Sequence, residues 1–186
     1  MKKKILVWSL TFVLLAGAWG LSKATLPDDA ALAAFPVVAE LDEPATSRNL
    51  AVTITDVHAA RRVADADGWS AEGTWLVVDL EAATVEAQDG DILSFAELTI
   101  GDRRFTATDR GTSFYRQRLI TGVPRAGSLA FELPDGALTG TGVLRLGLPT
   151  GPPGEILIDD VIELRIDLDE LPLEAEVTLD ENGWAR

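Results

Sequence analysis

The sequence predicts an all-β protein: an antiparallel β-sandwich of about 7–9 strands, preceded by one N-terminal transmembrane helix or signal segment. Three observations lead there. Apolar and polar residues alternate in run after run beyond residue 48, the period of half-buried strands. Turn chemistry separates the runs, as at Gly101-Asp102 and Pro134-Asp135-Gly136. No stretch after residue 35 carries a helical period of useful length. The pattern is organised around residues 73–105, GTWLVVDLEAATVEAQDGDILSFAELTIGDRRF. This stretch reads as a hairpin of two strands about an acidic turn, followed by an arginine-bearing connection into a third.

The chain opens on Met1, Lys2, Lys3 and Lys4, a positive cluster, followed by the apolar run Ile5–Ser22. Eighteen residues at about 1.5 Å rise reach roughly 27 Å, enough to span hydrocarbon. The basic end stays in the cytoplasm, which places the remainder on the extracytoplasmic side. Two readings of residues 1–23 stand: a retained signal anchor with Trp8 and Trp19 near the interfaces, or a signal peptide cleaved at Ala16-Gly17-Ala18 or Ser22-Lys23-Ala24. In the first the protein is a single-pass membrane protein, and in the second it is secreted.

Residues 24–47, rich in Ala, Pro and acids, read as a stalk, with Phe35, Val37, Val38 and Leu41 placed to dock on the domain edge. The sandwich domain is expected over 48–170. Its strands are Asn49–Val57, Trp75–Thr84, Phe95–Ile100, Arg104–Thr108, Ser128–Leu133, Val143–Leu148 and Val161–Leu168, with 58–73 as a long connection. In the second strand Leu76, Val78, Leu80 and Ala82 point inward and Val77, Asp79 and Glu81 outward. Residues 171–186 are expected as a C-terminal edge strand and tail.

Composition narrows the chemistry. All four lysines precede Ala24, so twelve arginines against thirty acids leave the rest at −18. That charge repels phosphate backbones, so no nucleic acid is expected as a partner. Its plain reading is solubility. The absence of cysteine removes thiol catalysis, disulfides and Cys-based zinc sites.

No Gly-x-Ser-x-Gly elbow is present. His58, the only histidine, has no acidic partner placed by the sequence and reads as solvent-facing or at a strand end. With no lysine after Lys23, phosphate loops and Schiff-base chemistry fall away. No catalytic, cofactor or metal residues are assigned, and the chain is expected not to be an enzyme. Abundant carboxylates leave a two-acid envelope glycosidase as an alternative. The acidic turns 65–68 and 86–91 leave a calcium-stabilised binding domain as another. Asp65-Ala66-Asp67-Gly68 nevertheless fails the EF-hand pattern, with Trp69 and Leu76 where ligands are needed. Arg103, Arg104, Arg116 and Arg118 stand out against the acidic background as candidate partner-binding residues, and pairing with neighbouring acids is their plainer reading.

The strand TWLVVDLEA, the segment LTIGDRRFTA and the pair GSLAFELP…VLRL resemble a widespread bacterial family of uncharacterised extracytoplasmic immunoglobulin-like domains. More distantly they resemble the mycobacterial immunoprotective extracellular protein. The matching positions are Trp75–Ala82, Leu98–Phe105 and Leu129–Pro134, within roughly residues 48–168. One departure is Glu81-Ala82-Ala83, where the family's strand usually runs into an Asn that begins a turn. The resemblance implies an immunoglobulin-like sandwich outside the cytoplasm, with binding or scaffolding as its role. The family transfers no catalytic residue. A membrane-tethered interaction module, accessory to a cell-envelope or transporter complex, is the function these readings lead to.

Overall fold

Two runs of alternating residues pair into the longest ladder of the fold. In the computed structural model, residues 11, 35–86, 90–149, 158 and 160–185 are described. The chain divides into two units, Met1–Ala33 and Ala34–Arg186, and the fold is that of the second. In chain order its strands are β1 (Phe35–Val38), β2 (Pro44–Thr46), β3 (Leu50–Ala64), β4 (Ser70–Thr84), β5 (Asp91–Ile92), β6 (Phe95–Ile100) and β7 (Arg103–Thr106). They continue as β8 (Arg118–Leu119), β9 (Arg125–Leu133), β10 (Thr141–Gly147), β11 (Asp160–Asp167), β12 (Leu173–Glu174), β13 (Val177–Thr178) and β14 (Gly183–Trp184).

Two main sheets form a β-sandwich. One has the order β1-β11-β10-β6-β7, the other β12-β3-β4-β9-β14, with β2 and β13 also on β3. A ribbon of β5 and β8 stands apart. The facing surfaces meet in one core, to which β4 gives Leu76, Val78, Leu80 and Ala82, as the alternation predicts. Across from them lie Leu98 of β6, Leu144 and Leu146 of β10, and Ile162, Leu164 and Ile166 of β11. Gly101, with φ of 56°, makes the tight turn between β6 and β7.

The structure departs from the sequence reading in five places. Residues 73–105 do not form a hairpin: β4 and β6 lie in different sheets. The segment between them is a crossover, pinned by the burial of Leu93 and the pairing of β5 with β8. Of the expected acidic turn, residues 87–89 fall outside the described residues.

The second difference concerns residues 58–73, expected as a connection. β3 runs on to Ala64 and β4 begins at Ser70. Two register shifts, at Ile54/Asp56 and Ala60/Arg62, break the alternation that would have marked the strand.

Third, the sheets are not purely antiparallel, since β1 runs parallel to β11, and β12 and β13 run parallel to β3. Among the described residues the strands number fourteen rather than 7–9, the excess being mostly two-residue pieces. Fourth, part of the expected stalk belongs to the sheets: β1 and β2 lie within residues 35–47. The predicted anchor, save residue 11, and residues 24–34 lie outside the described residues. Among the described residues no helix is long and apolar enough to cross a membrane.

Fifth, the C-terminal stretch is neither a lone edge strand nor a tail. It pairs with β3 at Leu173 and Val177, and then with β9 at Gly183. Because β3 and β9 flank β4, the stretch crosses the outer face of that sheet. There Val177 and Leu179 cover Trp75, Val77, Ala60, Val63 and Ala130 in a second apolar cluster. Val77, expected outward, is thereby fully buried. Replacing Leu179 with Ala is expected to lower the free energy of unfolding by about 2–5 kcal/mol, read by urea titration. A loss within about 0.5 kcal/mol, the range of exposed substitutions, would show that the C-terminal stretch is not packed.

Candidate functional site

The edge of the sandwich where β3 and β11 lie is indented. A groove of about 520 Å³ is lined there by Asp56, Val57 and His58 of β3, by Leu164–Asp167 of β11, and by Leu41, Glu170, Leu171, Pro172 and Glu174. Its size falls within the range of ligand-binding clefts, about 300–1,000 Å³. Two features of the topology keep it open. β1 pairs with β11 only from Asp160 to Glu163, so β11 runs beyond its neighbour. β2 leaves β3 at Thr53, and β12 joins only at Ala59.

His58 sits in the wall of this groove. Its Nδ1 lies 3.0 Å from Glu174 Oε1 and its Nε2 3.1 Å from Asp79 Oδ2. Asp56 Oδ2 is 3.5 Å from Nε2. Beyond it, the Ser128 hydroxyl donates to Asp79 Oδ1, and Ser128 Oγ accepts the Asp180 N–H at 2.8 Å. One polar chain thus runs from Glu174 through His58, Asp79 and Ser128 to Asp180, joining β3, β4 and β9 to the C-terminal stretch. With a carboxylate at each ring nitrogen, the doubly protonated imidazolium can donate to both.

Burial works to lower the pKa of His58. The hydrogen bond to Glu174 and the charges of Asp56, Asp79 and Glu174 outweigh it, so the imidazole is raised above its ordinary 6.5. Asp79 is raised above its ordinary 3.8 chiefly by burial. The Ser128 hydrogen bond opposes that rise, the charge of Asp180 adds to it, and His58 opposes it again. Ser128 is fully buried and bonded to Asp79 rather than to His58. It is therefore not presented to a substrate as a serine nucleophile would be.

The sequence places His58 at a strand end or facing solvent; it is half-buried in mid-strand and surrounded by acids. The missed partners carried a partial signal. Asp56 and His58 are two apart on one strand, hence on one face. Asp79 and Glu174 reach the site only through the β3–β4 register and the C-terminal crossing, which no local pattern shows.

The four arginines singled out in the sequence lie elsewhere. Arg103 and Arg104 are on β7. Arg104 faces Glu97 at 3.9 Å, and Arg103 stacks 6.0 Å from the Phe105 ring centre. Arg116, at φ 64°, pairs with Asp109 at 3.4 Å and stacks on Tyr115. Arg118 is on β8, and its carbonyl accepts from Arg125 at 2.9 Å. None of the four lines the groove.

Asp65, in the acidic turn 65–68, accepts the N–H groups of Trp69 and Thr112, at 2.8 and 3.0 Å, and fixes the β3–β4 turn. Among the described residues no group of three or more His, Asp or Glu side chains is placed to hold a metal ion.

No family model matches the chain, and no curated protein matches it. Two solved structures are similar to it. One is an uncharacterized β-sandwich protein from Clostridium difficile 630, with a TM-score of 0.47 and 8% identity over 73% of this chain and 97% of that one. The other is a "putative lipoprotein" from Bacillus subtilis subsp. subtilis str. 168, with a TM-score of 0.45 and 15% identity. That match covers 70% of this chain and 40% of the Bacillus chain, so this chain spans less than half of that protein's length.

The pKa of His58 has a consequence for stability. A histidine raised in the folded state contributes stability that is fully present below its unfolded value and is lost as pH rises through the folded one. Unfolding free energy is therefore expected to fall as pH climbs past 6.5. H58Q is expected to flatten that slope, measured by urea titrations across the range. A histidine titration by NMR at or below 6.5 would contradict the assignment.

Proposed function

We propose that this protein is a membrane-tethered, extracytoplasmic interaction module with an immunoglobulin-like sandwich and no catalytic role. Its partner would be an envelope or membrane protein, in a cell-envelope or transporter complex. The observation that carries the reading is the groove: an open, part-apolar surface lined by residues of both sheets. The N-terminal apolar run after three lysines supports the tether. Strand order supports the immunoglobulin-like assignment. β11, β10 and β6 neighbour one another as G, F and C strands do, and β3, β4 and β9 as A, B and E strands do.

The absence of cysteine makes the placement testable without a background. R104C, on the exposed edge strand β7, is expected to react with a membrane-impermeant maleimide in spheroplasts before lysis. Labelling only after lysis would place the domain in the cytoplasm and end this reading. A photoreactive residue at Glu170, in the groove, is expected to give a discrete crosslinked species on intact cells.

A further inference from the structure

We infer that the groove takes an extended, lysine- or arginine-bearing peptide segment, which adds as a short strand to the free edge of β11. This rests on the reading of the protein as an interaction module and names the chemistry of its partner.

The backbone carries the first part of the argument. The carbonyl of Glu163 accepts the Ala39 N–H at 2.8 Å, so it points to the β1 side of β11. The N–H and C=O of one strand residue share a side, and sides alternate along the strand. Arg165 and Asp167 therefore present their N–H and C=O groups on that same edge, past the last residue that β1 pairs. Leu164 and Ile166 face β10 through the Leu144 and Gly142 positions. Among the described residues, no strand pairs with the β11 edge from Leu164 to Asp167. An extended peptide lying there would continue the line of β1, and such strand addition is a recurring mode of peptide recognition. Across the groove the Val57 N–H is held by the Asp56 side chain at 2.7 Å. The β3 wall is thus closed to a competing strand at that position, and the edge available is that of β11.

Charge selects the segment. Four carboxylates line the groove, Asp56, Asp167, Glu170 and Glu174, against Arg165 and His58. Arg165 lies 3.7 Å from Glu163, a carboxylate it shares with Arg145 at 3.1 Å, so the groove's acids outnumber its bases by two. Alternate side chains of an added strand point to opposite faces. Apolar ones would then meet Leu41 and Leu171, and basic ones the carboxylates at the rim.

The test uses the full chain in nonionic detergent and two probe peptides, Val-Lys-Val-Lys-Val-Lys and Val-Glu-Val-Glu-Val-Glu. Binding is followed by fluorescence anisotropy and by amide shifts in NMR. The lysine peptide is expected to bind and to shift the amides of Arg165–Asp167; the glutamate peptide is expected not to bind. R165A and R165P remove the same positive charge, but only R165P removes the edge N–H, at a position where proline leaves the β10 ladder intact. R165P is expected to weaken the lysine peptide by about tenfold relative to R165A. E170K is expected to weaken it severalfold, whereas E86K, the same charge change outside the groove, is not. If R165P does not fold, a lysine peptide N-methylated at alternate residues replaces it and is expected to lose affinity equally.

Equal binding to R165P and R165A, or equal losses for E170K and E86K, would reduce the effect to diffuse charge and overturn the inference. Protection of the Arg165–Asp167 amides by a concentration-dependent dimer would also overturn it, by making a second copy the occupant. A partner crosslinked outside the groove would sink this inference while leaving the interaction module standing. Maleimide labelling only after lysis would do the reverse.

Discussion

Strand β4 is buried on both faces, and the rest of the architecture follows from satisfying both. Leu76, Val78, Leu80 and Ala82 belong to the core between the sheets, whereas Trp75 and Val77 belong to the second cluster behind it. Each large side chain so buried contributes about 1.5–3 kcal/mol. A strand apolar on both faces needs a cover on each. The five-stranded sheet supplies one and the C-terminal stretch the other. The T-shaped packing of Trp69 on Trp75, with rings 6.2 Å apart, and Arg110 over both rings close the end of that second cover.

The same crossing builds the site. To reach from β3 to β9, the C-terminal stretch passes Glu174 beside His58 and brings the Asp180 N–H to Ser128. The polar chain through His58 and Asp79 therefore belongs to the fastening of that cover as much as to the groove. Glu174 has both roles, as groove lining and as partner of the imidazole. The charge state of His58 is in this way coupled to how the groove wall is held.

The sequence displayed some of this and hid the rest for identifiable reasons. Alternation located β6, β10 and β11 and the inward set of β4, because a half-buried strand writes its period into the chain. The extension of β3 to Ala64 was masked by two bulges that shift the phase. Val77 read as an outward residue because alternation assumes a solvated back face, and the cover over it lies a hundred residues away in the chain. The four arginines contrast with an acidic background but lie away from the groove. The groove is lined instead by acids, which are too common in this composition to be informative singly.

Class and inventory were legible from the chain alone. It set strands rather than helices, one apolar N-terminal run, and a chemistry without cysteine and with one histidine. These depend on residue type and local spacing, which are properties of the chain alone. Long-range pairing parts β4 and β6 into different sheets, carries the last residues across the back of one sheet, and brings His58 to Asp79 and Glu174. Those facts are set by strand partners and registers distant in sequence, whose energy comes from surfaces that exist only after the sheets have met. The open edge of β11 is of the same kind, because it is defined by where β1 stops pairing.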